Sequence, residues 1–534
     1  MSVRVARWSV HVGLVAFLLS VLVVVQSLPA RADYTALQGD GSSWSAGIIN
    51  QWISDAEPMG MRVDYTASGS SAGRKSFATG QDDFAVSEIP FQGTDPVTKE
   101  VDDTNRDYAY LPIVAGGTAF TYHVEQAGEL MREVRLSGAT LAKIFTNQIT
   151  NWNDAAIKAD NNGREFPDLE IAPVVRSDGS GTTAQFTRWL DAQYPALWKA
   201  CNGQSGLTSY YPICDDSGRM VGQSGSDGVM NKITSSAGNG TIGYVEYSYA
   251  LNADYPVVKV LNAAGYYVEP TAYNVAVALT KARINEDSSS KNYLTQILDD
   301  VYTNADPRAY PLSSYSYLIM PTGADDPKLS TTSKRQTLVD FMSYALCTGQ
   351  VQAAPYGYSP MPLNLVQAAM KQLVRLKEAD PNVSIAATDV TACGNPTFIA
   401  GDLSANCLAT IAPMPYATDK EGAGPNLTGS NITPTGSCLN AATVATGTTG
   451  TTTGTGTTTN TSGTSSGTTT GAGTTTGTGT GSTTQIDPET GLAVGDTSAD
   501  GSGSTTGAVA TTIAARPASS SAVFGALSAA ELVA

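Results

Sequence analysis

Charge and metal ligands are scarce in this chain. Only 15% of its 534 residues are charged, and 48 acidic side chains outnumber 31 basic ones. That balance argues against nucleic-acid binding, which needs a basic face. It leaves room for a small anion, because backbone N–H groups, hydroxyls and a single Arg suffice to hold one. Histidine is nearly missing, with two in all, His11 and His123. The six cysteines include no CxxC pair, so a zinc or redox centre has no ligand set. Long apolar runs are confined to the N-terminus, where Val12 to Val25 is broken only by Gly13 and Ser20.

That N-terminal run carries the marks of a secretory signal. Arg4 and Arg7 precede it, and Ala30-Arg31-Ala32 has the small-x-small cleavage pattern, so cleavage is expected after Ala32. The run is short for a membrane anchor. The mature chain keeps 28 basic against 48 acidic side chains, a net charge of −20, and one histidine, His123. No Cys follows the run directly, which excludes lipid attachment at a new N-terminal Cys. The expected location is outside the cytoplasm: periplasmic, envelope-associated or extracellular. An even cysteine count in an exported chain points to disulfides. Cys201–Cys214 is the expected pair, across a short Gly/Ser/Tyr-rich loop; the other four cysteines stay unassigned.

Residues 34 to 376 read as globular, with β-branched or aromatic runs alternating with amphipathic stretches. Tyr110–Val114, Ala172–Val175 and Tyr317–Met320 are expected strands; Ala46–Ala56 and Ser333–Cys347 are expected helices. Such alternation implies an α/β architecture. Residues 377–441, with several Pro and Cys, are an expected ordered extension. Residues 442–485 are almost wholly Thr, Gly and Ser and continue into an Ala/Ser-rich end at 534. This 442–534 stretch cannot bury enough apolar surface to offset its ordering entropy, so a disordered tail is expected. A receptor's tether and a surface or matrix protein reusing the fold both account for it.

Three Gly/Ser turns open helices: Gly41-Ser42-Ser43-Trp44, Gly69-Ser70-Ser71-Ala72-Gly73 and Gly179-Ser180-Gly181-Thr182-Thr183. Hydroxyls there can cap, glycine admits close approach, and the positive dipole end favours an anion. Arg176 stands just upstream of the third turn, able to take an oxyanion bidentately, with Asp178 placed to hold its guanidinium. A serine-hydrolase reading of Gly179-Ser180-Gly181 lacks the Gly-x-Ser-x-Gly elbow and a base beyond the lone His123, so no catalytic activity is expected.

Taken in order, these segments resemble the PstS-type phosphate-binding proteins of phosphate ABC transporters. The likeness also covers Asp83–Pro90, Leu136–Asn153, Gly240–Tyr249 and Tyr310–Met320. It implies a two-lobed Venus-flytrap fold, with lobe I from 33–114 and 315–376 and lobe II from 115–314. It implies phosphate ligands Ser43, Trp44, Ser70, Arg176, Ser180, Gly181 and Thr182, with Asp178 orienting the Arg. It further implies an ABC permease as partner, a monomeric receptor and no cofactor. One position departs from the family pattern: Glu88 stands where an Asp is usual. A carboxylate only accepts hydrogen bonds, so it tolerates protonated phosphate and repels fully ionised sulfate. Glu keeps that chemistry and reaches one methylene further. Sulfate, molybdate and phosphonate remain alternative ligands.

Overall fold

A computed structural model describes residues 34–94, 99, 101–214, 217–423 and 434–438, with two dipeptides at 485–486 and 493–494. The expected signal segment 1–32 and the rest of the 442–534 tail lie outside the described residues.

The core is one eight-stranded sheet with parallel wings and an antiparallel centre. In chain order its strands are β1 (Leu37–Gly41), β2 (Val63–Thr66), β3 (Phe84–Ser87), β4 (Tyr108–Tyr122), β5 (Ala172–Arg176), β6 (Val221–Gln223), β7 (Thr241–Glu246) and β8 (Ser313–Pro321). The spatial order is β6-β5-β7-β4-β8-β3-β1-β2. β1 runs parallel to β2 and β3, and β5 runs parallel to β6 and β7. The two wings meet through β4. Its first part, to Gly117, pairs antiparallel with β8; its last part, Thr118–Tyr122, pairs antiparallel with β7. Fourteen of its fifteen residues are buried. A strand covered on both faces must be apolar throughout, which is why Leu111–Ala115 shows no polar alternation. The expected lobe boundaries at 114/115 and 314/315 fall inside β4 and β8, the strands shared between the halves.

The helices follow the apolar spacing. α1 (Ala46–Ala56) matches its expected bounds and buries Ile48, Ile49, Trp52 and Ala56 on one face. α2 (Ser70–Ala78) and α3 (Gly181–Gln193) open at the second and third Gly/Ser turns. α4 (Gly225–Thr234) follows β6, and α5 (Tyr247–Asn252) follows β7. The expected Ser333–Cys347 helix is α6 (Thr332–Leu346). α7 (Leu363–Ala379) runs through the expected boundary at 376/377 and ends three residues past Leu376, its last buried position. Among the described residues no helix is long and apolar enough to cross a membrane.

Three disulfides are present: the expected Cys201–Cys214, and Cys347–Cys393 and Cys407–Cys438, which the sequence left unassigned. The last two staple the C-terminal extension. A buried ion pair, Arg135 with Asp419 at 2.9 Å, docks the extension onto the main body. Lys259 reaches the same Asp419 carboxylate at 3.4 Å, so the acid is shared between two cations of the main body.

Candidate functional site

In a parallel wing, the strands' carboxyl ends and the following helix starts gather on one edge, where open α/β sheets bind ligands. Both wings direct these ends to the same cleft. β1 delivers Ser42, Ser43 and Trp44; β2 leads to Ser70; β3 leads to Glu88. From the other half, β5 delivers Arg176 through Gly181, β6 leads to Gly225 and Ser226, and β7 ends at Glu246.

The centre of the cleft is the Glu88 carboxylate, fully buried. Ser42 and Ser316 donate their hydroxyls to Oε1, the latter at 3.0 Å. Ser70 donates to Oε2 at 2.7 Å. Ser70 Oγ in turn accepts the N–H of Gly181, the first residue of α3, at 3.1 Å. Gln185, also on α3, donates to the Glu88 carbonyl at 2.6 Å. Ser71 N–H reaches the Gly179 carbonyl at 3.0 Å. The halves therefore touch directly along the cleft.

Arg176 is 2% exposed and grips Asp178 with two hydrogen bonds, Nε to Oδ1 at 2.7 Å and Nη2 to Oδ2. Asp178 Oδ1 also accepts the Gly225 N–H at 2.9 Å. Asp178 thus grips the guanidinium and ties it to the start of α4. Gly69, with φ +107°, lies against this pair; a Cβ there would come 2.6 Å from Asp178 Oδ2. The backbone N–H of Arg176 donates to Tyr244 Oη at 3.2 Å. Burial pushes the Tyr244 hydroxyl up to about 12, so it stays protonated.

Not every expected residue joins one cluster. Ser180 caps α3, accepting the Thr183 N–H at 3.2 Å. α1 and α2 have no side-chain cap, so the capping expectation holds for the third turn alone. Thr182 Oγ1 is buried and unpartnered. Ser43 Oγ lies 3.0 Å from Ser226 Oγ and accepts the Ser226 N–H at 3.2 Å, bridging to the start of α4. Trp44 N–H donates to Ser42 Oγ at 3.0 Å. The Trp44 indole is buried edge-on to Tyr358 and against Gly116.

Sequence reasoning missed Ser42, Ser226, Gln185 and Ser316. Ser42 sits in a turn already singled out and Ser316 lies within Tyr310–Met320, while Gln185 follows the third turn by two residues. Ser226 opens a helix after a Gly, the same local design as the three turns. Nothing local marks Ser316, which lies 228 positions from Glu88. His123 contacts Ile233, Glu125 and Tyr255, away from Ser180. A cavity of about 860 Å³ borders the rim and meets the expected site only at Asp178 and Gly179.

Glu246 is a second buried carboxyl nearby. Its Oε2 accepts the Ser248 N–H at 2.7 Å and its Oε1 has no partner. Burial pushes it well above the usual carboxylate range. The folded state therefore holds a proton that the unfolded chain releases above about pH 4.3. Stability from this group falls as pH rises from there through the folded value. Glu246→Gln keeps the carbonyl acceptor and removes the titration. Its urea midpoint, relative to wild type, is expected to rise between pH 5 and pH 8. A difference independent of pH would refute the assignment.

A family model described as a PBP superfamily domain matches residues 27–348. The phosphate-binding protein PstS of Xylella fastidiosa is 32% identical over 346 residues, covering 64% of this chain and 86% of the relative. A PstS of Pasteurella multocida is 30% identical over 363 residues, covering 67% and 94%. One from Methanocaldococcus jannaschii is 30% identical over 347 residues, covering 63% and 85%. With the matched span taking in both wings of the sheet and every residue of the cleft, this chain belongs to the PstS family of the PBP superfamily.

Proposed function

We propose that this protein is an exported receptor, not an enzyme, that captures inorganic phosphate in the cleft and delivers it to the membrane permease of an ABC transporter. The proposed ligand set is Ser43, Trp44, Ser70, Glu88, Arg176, Ser180, Gly181 and Thr182, with Asp178 orienting Arg176. The receptor acts as a monomer. One observation carries the reading: Ser70, Glu88 and Gly181 come from separate segments and opposite halves, yet meet within hydrogen-bond distance. Arg176 and Asp178 are held rigidly on the same edge. The unpartnered Thr182 hydroxyl is a further donor buried beside them.

The energetics are adequate. Hydrogen bonds to a charged group contribute roughly 1.5–3 kcal/mol each, and micromolar binding needs about −8 kcal/mol. Calorimetry of the full chain at pH 7 should give a phosphate Kd of about 1 µM or tighter. Sulfate should bind at least about 100-fold more weakly, because it brings no proton to Glu88. Absence of both heat and thermal shift with phosphate would overturn the reading; a preference for sulfate would move it to another oxyanion.

A further inference from the structure

We infer that Ser42 and Ser316 are positioning residues that fix Glu88 as a one-proton acceptor, and so set the anion selectivity of the cleft. The inference rests on the phosphate reading above and deepens it. Glu88, Ser42, Ser70 and Ser316 are each at most 1% exposed, so no water shares the work from bulk solvent.

Proton direction follows from counting lone pairs. The Ser42 oxygen accepts the N–H groups of Trp44 at 3.0 Å and Ser45 at 3.4 Å. A hydroxyl has two acceptor lone pairs and one hydrogen. Both lone pairs are occupied, so its hydrogen goes to Glu88 Oε1. Ser70 accepts the Gly181 N–H, and its hydrogen goes to Oε2. Ser316 has one hydrogen and two acceptors in reach, Ser45 Oγ at 3.1 Å and Glu88 Oε1 at 3.0 Å; the carboxylate, being the charged and stronger acceptor, takes it. Three donors thus converge on one carboxylate. An ionised carboxylate offers about four acceptor sites. Ser42 and Ser316 fill both sites of Oε1, and Ser70 fills one of Oε2 while its hydroxyl stays on Glu88, which leaves one. That vacancy fits a single O–H on the ligand, which every protonation state of phosphate populated near neutrality can supply and sulfate cannot.

The longer side chain explains why two extra hydroxyls are useful. Glu has one more rotatable bond than Asp, and a free carboxylate at that reach would sample several orientations. Ser42 and Ser316 pin Oε1 on the β1 and β8 side. Oε2 is then aimed at Ser70 and the start of α3. The arrangement lets a Glu do at this position what a shorter acid does by virtue of its length.

The test uses the full, oxidised chain. Phosphate and sulfate affinities are measured by calorimetry for wild type, Ser42→Ala, Ser316→Ala and Ser316→Thr. Each alanine variant should lower the phosphate-to-sulfate affinity ratio by about tenfold or more, the worth of one hydrogen bond to a charge. Ser316→Thr keeps the hydroxyl and should recover most of the ratio. A purely structural serine would change both affinities together and leave the ratio alone. Should Ser316→Ala fail to fold, Ser316→Cys keeps the shape with a much weaker donor. If wild type discriminates and the variants keep its ratio within about twofold, the positioning role is overturned and the receptor reading stands. If wild type binds no phosphate, the receptor reading itself falls.

Discussion

Arg176→Ala should lose phosphate binding by at least about 100-fold, because the side chain carries the one cationic group in the proposed ligand set. The guanidinium is buried and locked by Asp178, so little orientation entropy remains to be lost on binding. Two hydrogen bonds to an oxyanion contribute roughly 3–6 kcal/mol together. The substitution also leaves Asp178 facing the cleft without its partner, adding repulsion. Arg176→Lys is expected to fall in between: it keeps a charge but cannot hold the anion and Asp178 with one rigid fork. Asp178→Asn should be milder than Arg176→Ala, since the amide oxygen can still accept from Gly225 or the guanidinium. Titration calorimetry orders the three. An Arg176→Ala protein that folds and binds phosphate within about threefold of wild type would remove Arg176 from the site.

Much of this architecture was legible because the signals were local. Alternating apolar segments announced the α/β class, and the bounds of α1 could be read from Ile48, Ile49, Trp52 and Ala56. The three Gly/Ser turns and the Arg176–Asp178 spacing pointed to the edge of the sheet where the parallel strands end. What escaped was tertiary. Ser316 sits inside a strand with no turn, glycine or charge beside it; only the pairing of β8 with β3 and β4 brings it to Glu88. Glu88 was legible as a departure, but its hydroxyl partners were not, since they come from three segments. The end of α7 was missed for a different reason. The composition changes near residue 377, while the helix carries on for three more residues beyond its last buried position, Leu376.

Gly181→Ala is expected to separate folding from binding more cleanly than any other single change. A Cβ at Gly181 would lie 1.8 Å from Glu88 Oε2, 2.9 Å from Glu88 Cδ and 2.6 Å from Ser70 Oγ. Those atoms all belong to the opposite half, and they are the centre of the proposed site. Within its own half the position is permissive. Gly181 is the first residue of α3 and is not among the glycines with positive φ. Alanine is favoured over glycine in helices by up to about 1 kcal/mol. Thermal stability without ligand should therefore hold or rise slightly, while the halves can no longer close on Glu88. Phosphate affinity should drop by about 100-fold or more, and the ligand-induced thermal shift should disappear. Small-angle scattering should show no compaction on adding phosphate. Shortening the opposing acid relieves the clash, so Glu88→Asp placed on Gly181→Ala should restore part of the lost affinity. That rescue is the decisive arm: a contact across the cleft predicts it, and a local defect in α3 does not. Near-wild-type binding by Gly181→Ala alone would mean that the ligand is held with the halves further apart than this structure places them.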